Sequence, residues 1–254
     1  LMAIRQTEAF LIRTYPLSES SMICVFYTKD FGKVRAVARG VRNTKSKFRG
    51  QLDLLNRGEL IYNEKANREL QSVREFDLID NFDRIKANFN LFTYACYFSE
   101  LVDAMESDGA DNPDVFLLLT HTFRSLQKMT DLRLFARAFE LQLLQISGYA
   151  PDFTRCGTCG RSFTVNDVNL HYYDQSGEIV CTSCSTPQLV SLSRGSCELM
   201  RRIQETNFDR LKRIRTSQRN QKEMRFVLSS LISFHTHRRL KSLEFLDLVE
   251  KDKW

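Results

Sequence analysis

The residues of this chain best suited to chemistry are four cysteines in two pairs, Cys156-Gly157-Thr158-Cys159 and Cys181-Thr182-Ser183-Cys184. The pairs stand 21 residues apart. Each Cys-x-x-Cys is a knuckle that aims two sulfurs at one point, and two knuckles supply the four thiolates of a closed tetrahedral Zn²⁺ site. Gly160 follows the first knuckle, where a glycine lets backbone amides turn toward the sulfurs. Four protein ligands leave no position for water, so Cys156, Cys159, Cys181 and Cys184 are expected to hold a structural zinc. Cys24, Cys96 and Cys197 stand singly in apolar or helical contexts. That usage fits a reducing compartment rather than a disulfide framework. His171 lies between the pairs, but Tyr172 and Tyr173 follow it and no proline precedes Cys181, so the zinc-deaminase pattern is missing. His235 and His237 are two apart on a predicted helix and point to different faces. His121 sits among helix residues. No histidine is assigned a function.

The second chemical signal is charge. Residues 33–49 contain Lys33, Arg35, Arg39, Arg42, Lys45, Lys47 and Arg49 and no acidic residue. In a strand, Lys33, Arg35, Val37 and Arg39 share one face, while Val34, Ala36 and Ala38 face a core. Gly40 then opens a basic loop. A cationic stripe running into such a loop suits a nucleic-acid backbone, with Phe48 and Phe31 as the aromatics that could stack. A third signal lies near the C-terminus, where Arg201, Arg202, Arg210, Lys212, Arg213 and Arg215 crowd two helices and their connection. Arg219, Lys222, Arg225, Arg238, Arg239 and Lys241 follow. Their density exceeds what helix dipoles require, so a second DNA surface is expected there.

No phosphate-binding glycine loop, G-x-G-x-x-G, G-x-S-x-G or clustered acidic motif is present, so no enzyme class is indicated. The expectation is a protein without catalytic residues.

The elements that must position these groups follow from periodicity. Residues 7–14, 21–28, 33–39, 58–62 and 70–76 read as five short strands, with turns at Lys29 to Gly32 and at Asn63 to Arg68. Five strands in about 80 residues suggest a small closed barrel, OB-fold or SH3-like. From residue 81 the period becomes helical. Leu91, Phe92, Ala95, Phe98, Val102 and Met105 recur at helical spacing. Pro113 starts a second helix, and Asp131 caps a third that Gly148 ends. Residues 152–190 break the pattern as a loop-rich insert, and helical period returns after Ser193. The expected domains are therefore 1–80, a barrel; 81–254, helical; and within it 152–190, the four-cysteine insert.

Of the 254 residues, 43% are hydrophobic, 27% charged, 10 glycine and 4 proline, which excludes disordered and fibrous classes. Apolar runs of about five residues are far short of the roughly 20 that span a bilayer. No secretory leader is evident, and a cytoplasmic, nucleoid-associated location without membrane contact is expected. The net charge of +6 is unevenly spread. Residues 1–80 carry 14 lysines and arginines against 10 acidic residues, 81–154 carry 6 against 10, and 194–254 carry 15 against 8. Two basic ends flank an acidic middle, which points to a polyanionic partner. An interaction adaptor built on the zinc ribbon and a cryptic nuclease are the alternative readings.

The whole chain resembles the RecO family of bacterial recombination mediators. The resemblance rests on Glu8 to Arg13 with Leu17 to Ser21, and on Phe31-Gly32-Lys33-Val34-Arg35 continuing through Arg42. Lys45-Ser46-Lys47 and Gly50-Gln51-Leu52 extend it, as do Gly148-Tyr149-Ala150-Pro151-Asp152-Phe153 before Cys156 and Arg238 to Leu246. Leu54-Leu55 stand where the family usually has a Pro-Phe pair. The resemblance implies an N-terminal OB-fold, a helical domain and a zinc-ribbon-like insert. It implies binding of single- and double-stranded DNA, annealing of complementary strands, and complex formation with RecR. It also implies help in loading RecA onto DNA covered by single-stranded DNA-binding protein.

Overall fold

A computed structural model describes residues 2–43, 46–66, 68–236 and 240–251. The first five elements are strands: β1 (Met2–Pro16), β2 (Met22–Thr28), β3 (Gly32–Ala38), β4 (Arg57–Lys65) and β5 (Gln71–Asp80). They close into a barrel in the order β1-β2-β3-β5-β4. β1 pairs antiparallel with both β2 and β4, and a bulge between Leu11 and Arg13 lets so long a strand bend around the barrel. Closure comes from a short parallel seam of β3 on β5, Ala36 opposite Gln71 and Val37 opposite Ser72. This connectivity is that of an OB-fold, which decides between the two expected barrels.

Alternation sets which side chains enter. Val34, Ala36 and Ala38 of β3, Leu60 and Tyr62 of β4, and Val73 and Phe76 of β5 fill the interior with Leu11, Cys24 and Phe26. Phe48 and Leu52 plug it from the β3–β4 loop. Gly58 is required for close packing: a Cβ there would lie 2.5 Å from the Asp77 carbonyl and 2.7 Å from the Phe76 ring. Gly32, at φ +58°, closes the β2–β3 turn against the Ala110 backbone.

The helices are α1 (Asp83–Lys86), α2 (Phe89–Met105), α3 (Pro113–Leu126), α4 (Leu132–Ile146), α5 (Arg194–Gln204), α6 (Gln218–Thr236) and α7 (Lys241–Lys251). One compact unit comprises residues 1–127 and 240–254, and the other residues 128–239. In the first, α2 packs on β1 and α7, and Phe10 of β1 meets Phe116 and Phe123 of α3 at ring distances of 5.2 and 5.5 Å. The return of α7 is fixed by contacts across long sequence separations. Phe245 meets Phe89 at 6.0 Å, and Ser242 N–H donates to Glu100 at 2.8 Å.

In the second unit, α4 begins where the Asp131 side chain accepts from Leu134 N–H at 3.0 Å. It packs on α5 and α6. The expected insert is β6 (Asn169–Tyr173), β7 (Glu178–Cys181) and β8 (Val190–Ser193), in sheet order β7-β6-β8. Its buried Tyr172 meets Phe226 of α6 edge-on at 6.1 Å, which anchors the sheet to the helices. Residues Phe208–Arg213, expected as helix, tighten into a 3-10 turn that buries Phe208 and Leu211.

Candidate nucleic-acid interface and metal centre

The four cysteines converge. The sulfurs of Cys156, Cys159, Cys181 and Cys184 all lie within 4.8 Å of one another, and Cys159 Sγ is 4.0 Å from Cys181 Sγ. Thiolates about 2.3 Å from a shared zinc stand about 3.8 Å apart, so the cluster fits a tetrahedral ion with little adjustment. The first knuckle is formed by Gly160 N–H donating to the Cys156 carbonyl at 2.9 Å, with Gly160 at φ +71°. Gly157 N–H donates to Ile179 O at 2.9 Å and ties the knuckle to β7, so closely that a Cβ on Gly157 would lie 2.7 Å from Glu178. The second knuckle leaves β7 directly at Cys181.

The electrostatics favour a thiolate at Cys156. Burial opposes its ionisation, but backbone N–H groups of Cys159, Cys181 and Thr158 turn toward the sulfur and bring it down to about 6. Cys184 is pushed up to about 12, chiefly by its hydrogen bond with Cys181 and then by that with Cys159. Four thiols this close cannot all ionise alone, and a bound divalent cation removes the conflict. Beside the cluster, Arg161 pairs with Asp167 through both guanidinium nitrogens, and Asp167 also accepts from Thr164 N–H at 2.7 Å. His171, on β6 between β7 and β8, has both ring nitrogens buried and, among the described residues, without a hydrogen-bond partner.

The basic segment divides into two parts. The register of β3 is as expected, but Lys33 is only 5% exposed. Its Nζ donates to the Asp103 carbonyl at 2.8 Å and lies 3.5 Å from Asp103 Oδ1 and 3.1 Å from Asp108 Oδ1. Arg35 Nε lies 2.8 Å from Asp108 Oδ2, and Arg13 of β1 reaches Asp103 at 2.9 Å. Lys33 is therefore corrected from an exposed contact to a buried structural cation, and Arg35 is held beside it. Asp103 of α2 and Asp108 just beyond it neutralise the first half of the stripe. Phe48 is corrected too: it is buried in the barrel and offers no stacking face, although the Lys47 ammonium lies 5.1 Å from its ring centre.

Beyond Ala38 the picture changes. Arg39, Arg42, Lys47 and Arg49 are exposed. No ion pair holds Arg39, Arg42 or Arg49 among the described residues. Lys47 donates to the Arg74 carbonyl. Lys45 lies outside the described residues. Two cations that the linear pattern did not single out join this group. Arg39 lines one recess with Lys65 and Arg68 of the β4–β5 hairpin. In sequence Lys65 and Arg68 stand beside Glu64 and Glu69 and cancel in any local charge count, so only barrel closure reveals them.

At the other expected surface, Arg202, Arg210, Lys212, Arg213 and Arg215 are exposed. Arg201 is engaged with Glu198 at 2.7 Å and Glu205 at 3.5 Å. Arg238, Arg239 and His237 lie outside the described residues. His235 stacks on Tyr149 at 4.0 Å. No helix among the described residues is long and apolar enough to cross a membrane.

Comparison with known proteins accounts for nearly the whole chain. The family model for Recombination protein O N terminal matches residues 2–82, and that for Recombination protein O C terminal matches residues 87–244. A DNA repair protein RecO of Symbiobacterium thermophilum is 30% identical over 254 residues, covering 98% of both chains. That of Clostridium novyi is 28% identical, over 100% of this chain and 97% of its own. That of Desulforamulus reducens is 27% identical, over 98% and 96%. The matches span the barrel, the helices and the four-cysteine insert together, and the chain belongs to the RecO family of DNA repair proteins.

Proposed function

We propose that this protein is a non-enzymatic recombination mediator that binds single- and double-stranded DNA, anneals complementary strands, and with RecR helps load RecA onto DNA covered by single-stranded DNA-binding protein. The observation that carries the DNA reading is the loop after β3, where Arg39, Arg42 and Arg49 are exposed without a carboxylate partner among the described residues. Unpaired guanidinium groups on a loop can each replace a condensed counterion on a phosphodiester backbone. Lys47, also exposed, extends the same surface. Arg202, Arg210, Lys212, Arg213 and Arg215 form a second one. Two cationic surfaces on one chain lower the mutual repulsion of two strands, which is a physical route to annealing.

The metal in this reading is Zn²⁺ held by Cys156, Cys159, Cys181 and Cys184. It ties the knuckle before β6 to the knuckle after β7, and with four thiolates in place it activates no water. The protein works in the cytoplasm at the nucleoid. The test is an annealing assay with complementary oligonucleotides, with and without Mg²⁺, beside a check for cleavage. Expected is faster annealing, a steep salt dependence and intact strands. Mg²⁺-dependent loss of intact DNA would instead make the protein a nuclease.

A further inference from the structure

Arg161 stands two residues past Cys159 and meets both knuckles. Its backbone carbonyl accepts from Cys156 N–H at 2.9 Å, within the first knuckle. Its guanidinium reaches the second, where it hydrogen-bonds the Cys181 sulfur. Asp167 grips the same guanidinium from the other side, accepting from Nη1 at 3.0 Å on one oxygen and from Nη2 on the other. Asp167 is itself fixed. Its side chain accepts from Thr164 N–H at 2.7 Å and from Thr164 Oγ1 at 3.0 Å, and its N–H donates to the Thr164 carbonyl at 3.1 Å. Turn, carboxylate, guanidinium and sulfur thus form one chain of contacts. An exposed ion pair stabilises a fold little by itself. A planar fork aimed by a carboxylate, however, can present its remaining donors in a fixed direction.

The cysteine cluster has a use for such a donor. Four thiolates around one Zn²⁺ leave the centre with a surplus of negative charge. N–H groups on the sulfurs offset it. Cys156 takes backbone N–H groups of Cys159, Cys181 and Thr158, that of Cys181 at 3.3 Å. Cys181, at 0% exposure, takes one backbone donor, that of Cys184, and the Arg161 guanidinium. A sulfur so buried has no solvent to share its charge. Resting on the reading of the four cysteines as a zinc site, we propose that Arg161 is a positioning residue of the metal centre. Held by Asp167, its guanidinium donates to the Cys181 thiolate, offsets part of the surplus charge and keeps the second knuckle on the ion. The hold on the metal then depends on residues outside both Cys-x-x-Cys pairs.

The test uses the full chain loaded with Zn²⁺, or with Co²⁺ in its place for spectroscopy. Arg161→Gln should bind Zn²⁺ about 10- to 100-fold more weakly in competition with a chelator, the usual effect of removing an outer partner of a metal ligand. Arg161→Lys should recover part of that loss, since it keeps the charge without the fork. Asp167→Asn should weaken binding by a smaller factor in wild type and by no further factor in Arg161→Gln, because the carboxylate acts through the guanidinium. The thiolate-to-Co²⁺ charge-transfer band should move to lower energy in Arg161→Gln, because a sulfur deprived of an N–H donor holds its electrons less tightly. The Arg161 side chain is 40% exposed, so its replacement opens no buried void. Circular dichroism of the metal-loaded variant checks the fold, and Arg161→Lys carries the same band test should Arg161→Gln not fold. Weaker Zn²⁺ binding with the band unmoved would make Arg161 merely structural and overturn the proposal. Losses from Arg161→Gln and Asp167→Asn that multiply independently would overturn it too. If wild type holds one zinc per chain and Arg161→Gln matches it in affinity and band, the proposal falls and the zinc reading stands. If wild type takes up neither ion, both fall.

Discussion

Asp103 shows how much a single buried carboxylate can decide. Its side chain is 1% exposed and faces Arg13 at 2.9 Å and Lys33 at 3.5 Å. Asp103→Ala takes from Arg13 its 2.9 Å partner and leaves Lys33 to Asp108 alone, and since breaking a buried pair by removing one partner costs about 3–5 kcal/mol, the loss approaches the lower end of that range. Urea unfolding should show a loss of that order. Lys33→Met should cost much less, since Asp103 keeps Arg13, and should leave the salt slope of DNA binding unchanged. A reduced slope for Lys33→Met would return Lys33 to the DNA surface. The alternation of β3 was legible residue by residue, because Val34, Ala36 and Ala38 report the core face wherever the strand sits. The fate of Lys33 and Arg35 was not legible, because their partners, Asp103 on α2 and Asp108 just past its end, lie some 70 positions away. The cysteine cluster was legible for the opposite reason: spacing within each knuckle is local and needs only one turn of β7 against the first knuckle to close. Cys156→Ser should therefore remove stoichiometric zinc and lower stability together, since binding such a metal is part of folding. Elemental analysis of freshly reduced wild-type protein without zinc would defeat that expectation.

At the scale of elements, the junction of β8, α5 and α6 turns on Glu223. Its carboxylate accepts from Ser193 N–H at 2.9 Å and Ser193 Oγ at 2.7 Å, and it pairs with Arg219 at 2.7 Å. Burial alone would raise its pKa, but these hydrogen bonds, with one from Ser196, hold it at about 2. The sign of the consequence is fixed by that depression. The ionised form is favoured in the folded state, so the stabilisation is complete above the ordinary carboxylate value and disappears as pH falls toward 2. Glu223→Gln should lower stability at neutral pH and flatten the stability profile between about pH 4.5 and 2; an unchanged slope in that window would show that the clasp contributes nothing. Ser193 as the cap of α5 could be read from the return of helical period, but Glu223 as its partner could not, because nothing in the linear pattern links residues thirty apart. The same limit hid the division of the helices. Helical period alone does not say which neighbours α2 and α4 have; the packing of α2 on β1 and the return of α7 onto α2, through Phe245 and Phe89, assign α2 to the barrel unit.

For the whole molecule, the uneven charge makes the proposed annealing a property of two surfaces rather than one. Residues 1–80 and residues 194–254 each carry a surplus of lysine and arginine, and they fall largely in different compact units. A single cationic surface is enough to bind one strand. Annealing asks for more, because two polyanions must approach before base pairs form, and each unit can neutralise only the phosphates it touches. Removing Arg42 and Arg49 as alanines, or Arg210, Lys212 and Arg213 as alanines, should each weaken binding of one oligonucleotide modestly and uniformly across sequences, since phosphate contacts carry no base information. The annealing rate should fall further than binding does, even when protein is raised until the first strand is saturated, because saturation restores one contact and not the second. Raising salt should erase the difference between variants and wild type by weakening both surfaces together. The measurement is the annealing rate of complementary oligonucleotides at matched occupancy of the first strand. If the triple variant in the second unit anneals at the wild-type rate under those conditions, one surface suffices, and the basic C-terminal region has some purpose other than holding DNA.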